Sequence, residues 1–182
     1  LLILYIVYEN HTRNKELLKY AQTDALTGLY NKETTEQLTD ELLSEDENKY
    51  HAFLILDVDC FKQINDIYGH AVGDIVLQKF GKLLKGTFRE GDILGRIGGD
   101  EFGVIMKNIQ TKDIAMKKAE ELLAKTQAYK IDELKGNNIS ISIGISTAPQ
   151  DGDCYMDLYK RADQALYQAK RSGKARVCNY FS

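Results

Sequence analysis

Apolar residues fall along this chain in three rhythms, and each predicts a different element. Over 52–56 they run unbroken and stop at Asp57 and Asp59, the pattern of a strand covered on both faces. Over 75–88 they recur at Ile75, Val76, Leu77, Phe80, Leu83, Leu84 and Phe88, a helical spacing with Asp74 in front as N-cap and Gly91 behind as a stop. At Ile139, Ile141, Ile143 and Ile145 they alternate with Ser140, Ser142, Gly144 and Ser146, which predicts a strand.

The remaining elements follow from the same rules. Asn31 caps a helix over 32–43, with Leu38, Leu42 and Leu43 inward and Glu33 in the first turn. Residues 92–97 and 100–106 read as short strands joined by Gly98-Gly99, whose expected part is the positive φ of a two-residue hairpin turn. A helix is predicted over 111–126. Another has Leu158, Ala162, Ala165, Leu166 and Ala169 on one face and closes at Gly173, before an edge strand over 175–180. One hairpin among otherwise alternating elements implies an α/β fold with a mixed sheet and helices packed against it.

Two domain regions are expected. Residues 1–22 open on the apolar run Leu1 to Tyr8, without methionine, and turn polar at Glu9. Eight residues cannot span a bilayer, which needs about 20. The run is the end of a membrane-spanning helix that begins upstream, or the stripe of a dimerising signalling helix, with a linker helix behind it. Residues 23–182 form the folded domain. A net charge of −3 gives no basic footprint for nucleic acid. Three distant cysteines, Cys60, Cys154 and Cys178, suit reduced thiols better than a disulfide framework or zinc site.

The chemistry gathers where the buried run ends. If the strands of 52–56 and 100–106 are neighbours, Asp57, Asp59, Asp100 and Glu101 converge, and crowded like charges call for a cation. Magnesium takes oxygen ligands and shares them with substrate phosphates. Four surface carboxylates at loop ends are the plain alternative. Gly98 and Gly99 weigh against it, because a turn without side chains lets a bulky ligand lie on the backbone.

Gly98-Gly99-Asp100-Glu101-Phe102 is the signature of the GGDEF diguanylate cyclases, and four further segments resemble that family in the same order. They are Asp24 to Lys32, Asp57 to Asp66 with Gly69-His70 and Gly73-Asp74, Ser142-Ile143-Gly144, and Ala162 to Lys170 with Gly173-Lys174. The resemblance runs from Asp24 to the C-terminus. It implies a nucleotidyl cyclase-like palm fold, with a mostly antiparallel five-stranded sheet and an active-site hairpin. It implies a homodimer that condenses two GTP into cyclic di-GMP and two diphosphates.

Carried over by position, Asp57, the Val58 carbonyl, Asp100 and Glu101 hold Mg2+, with Mn2+ as the alternative ion. Glu101 supports the metal or takes the proton of the attacking 3′-hydroxyl, so Asp100 and Glu101 are the catalytic pair. Asn65 and Asp74 contact guanine, Lys62, Lys170 and Lys174 the phosphates, and Gly98 and Gly99 lie against the substrate. Arg89 and Asp92 resemble an RxxD site through which cyclic di-GMP, as product and inhibitor, feeds back; an ordinary helix-end ion pair is the alternative. Lys32 stands where the opening motif has arginine, keeping charge but not bidentate geometry.

The resemblance also implies a cytoplasmic domain of a cell-membrane protein, with an anchor upstream of Leu1. Two other functions stay open: a non-catalytic GGDEF receptor for GTP or cyclic di-GMP, and a related cyclase using ATP or mixed purines. Retention of all five signature residues speaks against the first, and Asn65 with Asp74 against the second.

Overall fold

The computed structural model of the chain describes residues 21–45 and 49–180. Helix α1 (Lys32–Glu45) leads to strand β1 (His51–Val58), helices α2 (Phe61–Tyr68) and α3 (His70–Thr87), and strands β2 (Ile93–Arg96) and β3 (Glu101–Met106). Helix α4 (Lys112–Ala128), a 3-10 turn at Asp132–Leu134, strand β4 (Ile141–Ala148), helix α5 (Tyr155–Arg171) and strand β5 (Val177–Asn179) complete it. The expectation for residues 1–22 falls almost wholly outside the described residues. Among the described residues no helix is long and apolar enough to cross a membrane.

The five strands form one sheet in the order β2-β3-β1-β4-β5, antiparallel at every pair except the parallel β4–β5. This is the mostly antiparallel, helix-flanked sheet that the sequence led us to expect. β1 lies at its centre, and the period of two in a strand divides its side chains. Ala52, Leu54, Leu56 and Val58 pack with Val76, Leu77, Phe80 and Leu84 of α3 and Ala115, Ala119 and Leu122 of α4. Phe53 and Ile55 pack on the other face with Leu42 and Leu43 of α1 and Leu158, Ala162 and Leu166 of α5. Asp57 continues this second row.

Helix α5 reaches the sheet because β4 is narrow on that side. A Cβ at Gly144 would overlap the Ala162 carbonyl and the Leu166 amide, and the Ser146 hydroxyl donates to Leu158 O at 2.8 Å. All eight residues of β4 are therefore buried, Ser142, Gly144 and Ser146 among them. At its start α5 is tied to α1, where Asp40 Oδ1 accepts the Tyr155 N–H at 2.6 Å.

Three expectations change. The expected N-cap at Asp74 is not one: α3 begins at His70, so Asp74 lies on an exposed part of that helix one turn in. The segment 61–68 is an additional helix, separated from α3 by Gly69 at φ 86°. Gly98 and Gly99 do not adopt positive φ, because four residues rather than two separate β2 from β3 and the turn closes without it. The predicted cap at Asn31 is present, its Oδ1 accepting the Thr34 N–H at 2.9 Å.

Candidate active site

Antiparallel pairing places Asp57 directly opposite Glu101, on the sheet face covered by α5. Residues so opposed carry their Cβ atoms ~5 Å apart. Asp100 comes just before, and its carbonyl accepts the Val58 N–H at 3.2 Å, so the hairpin is sewn to the end of β1. From α5, Lys170 Nζ reaches Asp57 Oδ2 at 2.7 Å. Three carboxylates and one ammonium thus meet at the strand ends.

The electrostatics are those of a site short of positive charge. Burial pushes the Asp57 carboxyl above its ordinary range; Lys170 opposes this, while the charges of Asp100 and Asp59 add to it. Glu101 is raised too, first by burial and then by the charge of Asp57. Hard oxygen donors that raise one another's pKa suit a divalent cation of the magnesium kind. Asp57, Asp100, Glu101 and the Val58 carbonyl fit that role by donor type. A tighter group of candidate ligand atoms, Asp153, Cys154 and Asp157, lies at the start of α5, toward the opposite end of the sheet.

Asp59 does not join the cluster as expected. Its Oδ1 accepts the Ser142 hydroxyl at 2.7 Å, and its Oδ2 accepts the Ser140 hydroxyl at 2.8 Å and the Ala175 N–H at 3.1 Å. It therefore fastens β1 to β4 and to the segment entering β5.

The hairpin glycines serve space rather than φ. A Cβ at Gly98 would stand 3.0 Å from Glu101 Oε2, and one at Gly99 would meet nothing within 4 Å. Across the site, a Cβ at Gly73 would overlap Asn65 Oδ1, which is buried without a partner among the described residues. Asn65 is thus held against α3 with an acceptor to spare, while Asp74 and Lys62 are exposed. Lys174 Nζ lies 3.1 Å from Cys60 Sγ; that contact first, then the charges of Asp59 and Asp57, raise its pKa.

The model of the family "Diguanylate cyclase, GGDEF domain" matches residues 21–176. The chain belongs to the GGDEF family. It is 37% identical over 170 residues to diguanylate cyclase A of Treponema denticola, covering 90% of this chain and 46% of that protein. It is 37% identical over 177 residues to the response regulator PleD of Caulobacter vibrioides, covering 93% and 39%. The chain thus spans less than half the length of these two curated relatives. The coiled coil and GGDEF domain of DgcB from Caulobacter crescentus, solved in complex with c-di-GMP, superposes with a TM-score of 0.88 at 25% identity, over 97% of this chain and 94% of that one.

In this GGDEF domain the Arg89–Asp92 pair sits beside the sheet edge. Arg89 Nε donates to Asp92 Oδ1 at 3.0 Å, a second arm of the guanidinium donates to the Lys107 carbonyl, and Asp92 Oδ1 accepts the Lys107 N–H at 3.1 Å. The Arg89 side chain is 60% exposed and that of Asp92 3%. A groove of about 590 Å³ next to them runs between the turn at Gly28 and Tyr30 and the end of α3 at Lys85 and Phe88.

Two parts of the site escaped the sequence analysis. Helix α2, which carries Lys62 and Asn65, was legible in the spacing of Phe61, Ile64 and Tyr68, all packed on the core. Arg96, at the end of β2, donates to the Gly99 carbonyl and to Asp24. Nothing in one sequence pairs residues 72 positions apart. Asp24 itself is disfavoured as an anion by partial burial, but hydrogen bonds from Thr27 and the Arg96 guanidinium outweigh this and lower its pKa.

Proposed function

We propose that this chain is the catalytic domain of a diguanylate cyclase that condenses two GTP into cyclic di-GMP and two diphosphates. The observation that carries it is Asp57 opposite Glu101 with Asp100 beside them, next to a turn where a substrate can lie on the backbone of Gly99. The 3′-oxygen of one GTP bonds to the α-phosphorus of the other, diphosphate leaves with the bridging oxygen, and the mirror step closes the ring.

Asp57, the Val58 carbonyl, Asp100 and Glu101 would hold Mg2+ or Mn2+. Such an ion, when bound, neutralises phosphate charge and acidifies the attacking hydroxyl. Glu101, its pKa raised by burial, is suited to accept the hydroxyl proton. Lys62, Lys170 and Lys174 supply positive charge for the triphosphate. Asn65 would contact guanine, and the exposed carboxylate of Asp74 supplies an acceptor for its N–H groups. Gly98 leaves room for the Glu101 side chain.

One such site binds one GTP, so two domains must face each other and a homodimer belongs to the reaction. Residues 23–182 make up the cyclase domain and residues 1–22 the segment that controls its pairing. A membrane anchor upstream of Leu1 would place the domain on the cytoplasmic side of the cell membrane. For product inhibition, the exposed guanidinium of Arg89 offers the phosphate contact, and the buried Asp92 holds that arginine in place.

The test is incubation of the purified chain with GTP and magnesium beside an Asp100→Ala, Glu101→Ala variant, with nucleotides resolved by chromatography. Cyclic di-GMP from the parent alone supports the proposal. A dimeric, GTP-binding sample that makes none would overturn it in favour of a receptor.

A further inference from the structure

Helix α5 ends in two basic residues, Lys170 and Arg171, that face different ways. Lys170 Nζ turns inward to Asp57 Oδ2 at 2.7 Å. One residue on, a helix has rotated by about 100°, and Arg171 lies exposed on the outer side of α5. Its guanidinium carbon stands 5.8 Å from the centre of the Tyr167 ring, one turn back on the same helix. Among the described residues no carboxylate or carbonyl holds it. Two other arginines at this end of the sheet are engaged by the fold: Arg96 by Asp24 and the Gly99 carbonyl, Arg176 by the Lys174 carbonyl.

A cation resting on an exposed ring is weakly held and is readily given up to a phosphate, which a guanidinium grips through two parallel N–H bonds. There is room for such a group. A hollow of about 920 Å³ is lined by Lys170, Tyr167 and Arg171, and all its described lining side chains belong to α5. It borders the catalytic site through Lys170. Because Gln164, Tyr167, Gln168 and Arg171 are exposed, it is reached from outside the domain.

The reaction proposed above creates a need for that charge. It brings two triphosphates within bonding distance, and like charges so crowded repel steeply where water is excluded. Lys62, Lys170 and Lys174 serve the nucleotide of their own domain. Phosphoryl transfer takes the remaining positive charge from an arginine of a second chain in other systems.

We propose that Arg171 is a catalytic residue acting in trans: it leaves Tyr167 and binds the phosphates of the GTP held by the facing copy, stabilising the charge that builds on the departing diphosphate. Each site is then incomplete until the second copy brings its arginine. The inference rests on the cyclase reading. A role confined to the dipole at the C-terminus of α5 would need a positive charge only, which lysine also carries.

The test uses the full chain. Arg171→Ala lowers kcat for cyclic di-GMP, at saturating GTP, on the order of 10²-fold, the scale for removing one donor to transition-state charge. Arg171→Lys recovers part of this, because an ammonium lacks the planar fork. Affinity for 3′-deoxy-GTP, which binds without reacting, stays parental when the protein is too dilute to pair. The deciding measurement mixes Arg171→Ala with the Asp100→Ala, Glu101→Ala variant. In a mixed pair the Arg171→Ala domain keeps its carboxylates and receives Arg171 from its neighbour. Its GTP is attacked once by the 3′-hydroxyl of the GTP opposite, releasing one diphosphate and leaving the linear dinucleotide pppGpG. The mixture therefore makes this product faster than either variant alone.

No gain on mixing would overturn the inference, since an arginine acting within its own domain cannot complement. Parental kcat in Arg171→Ala or in Arg171→Lys, or a rate restored by raising the concentration of Arg171→Ala, would overturn it too. A parent that makes no cyclic di-GMP sinks the cyclase reading and this inference together; an active parent with an equally active Arg171→Ala variant sinks the inference alone.

Discussion

Asp57 and Asp59 stand two residues apart at the end of one strand, both under 10% exposed, and their surroundings are opposite. Asp59 has three hydrogen-bond donors that complete the fold around it. Asp57 has one lysine, and faces Glu101 with Asp100 nearby. Burial of a charge is tolerable where the protein satisfies it and costly where it does not. The first aspartate is part of the scaffold. The second is held under tension by a scaffold that does not need it.

That contrast is open to direct attack. The largest expected effect is on catalysis: Asp57→Asn lowers cyclic di-GMP formation by at least ~10²-fold, the scale for losing one group that stabilises charge in the transition state. Its melting temperature is unchanged or higher. A variant that melts lower while retaining activity would reverse the roles assigned to the two residues. Asp59→Ala should cost about 3 kcal/mol, because two hydroxyls and one amide lose their acceptor. For a chain of this size that lowers the melting temperature by roughly 6–12 °C, which calorimetry would detect.

A finer test is pH. Asp57 and Glu101 have folded-state pKa values above their ordinary 3.8 and 4.5, so the folded chain binds more protons than the unfolded one between each ordinary value and the raised folded one. With a chelator present, this pair's contribution makes the fold gain stability as the pH falls through that window, and lose it again as the pH rises. In Asp57→Asn the contribution shrinks; an unchanged slope in urea melts would remove the pair from the balance. The smallest effect belongs to Gly99→Ala. Its melting temperature stays within error, since the new methyl meets no protein atom, while KM for GTP rises on the order of tenfold, about 1.4 kcal/mol of binding.

Much of this was legible beforehand, for identifiable reasons. The unbroken apolar run of β1 and the helical spacing of α3 and α5 are signals of local origin, and the sheet followed from them. The partnership of strand end and hairpin was also within reach, because carboxylates closing two buried strands have few places to go. What was hidden depended on contacts across the chain. Asp57 and Asp59 are the same residue type in the same run, and only Ser140, Ser142 and Ala175, more than 80 positions away, separate their roles. The close seat of α5 on Gly144, which buries the serines of β4, was likewise not written in their alternation with isoleucine. The glycine pair in the hairpin suggested a turn type, whereas its use is room for Glu101 and for the surface beside it.

The crowding of Asp57 against Glu101 also bears on how such domains change over generations. Substituting either acid with a neutral residue relieves repulsion in the fold, so folding itself offers no resistance to losing catalysis. Selection for the product is then what keeps these carboxylates in place. Lineages freed from that demand can drift into well-folded, silent descendants, while Asp59, tied into three strands' worth of structure, outlasts the activity it sits beside.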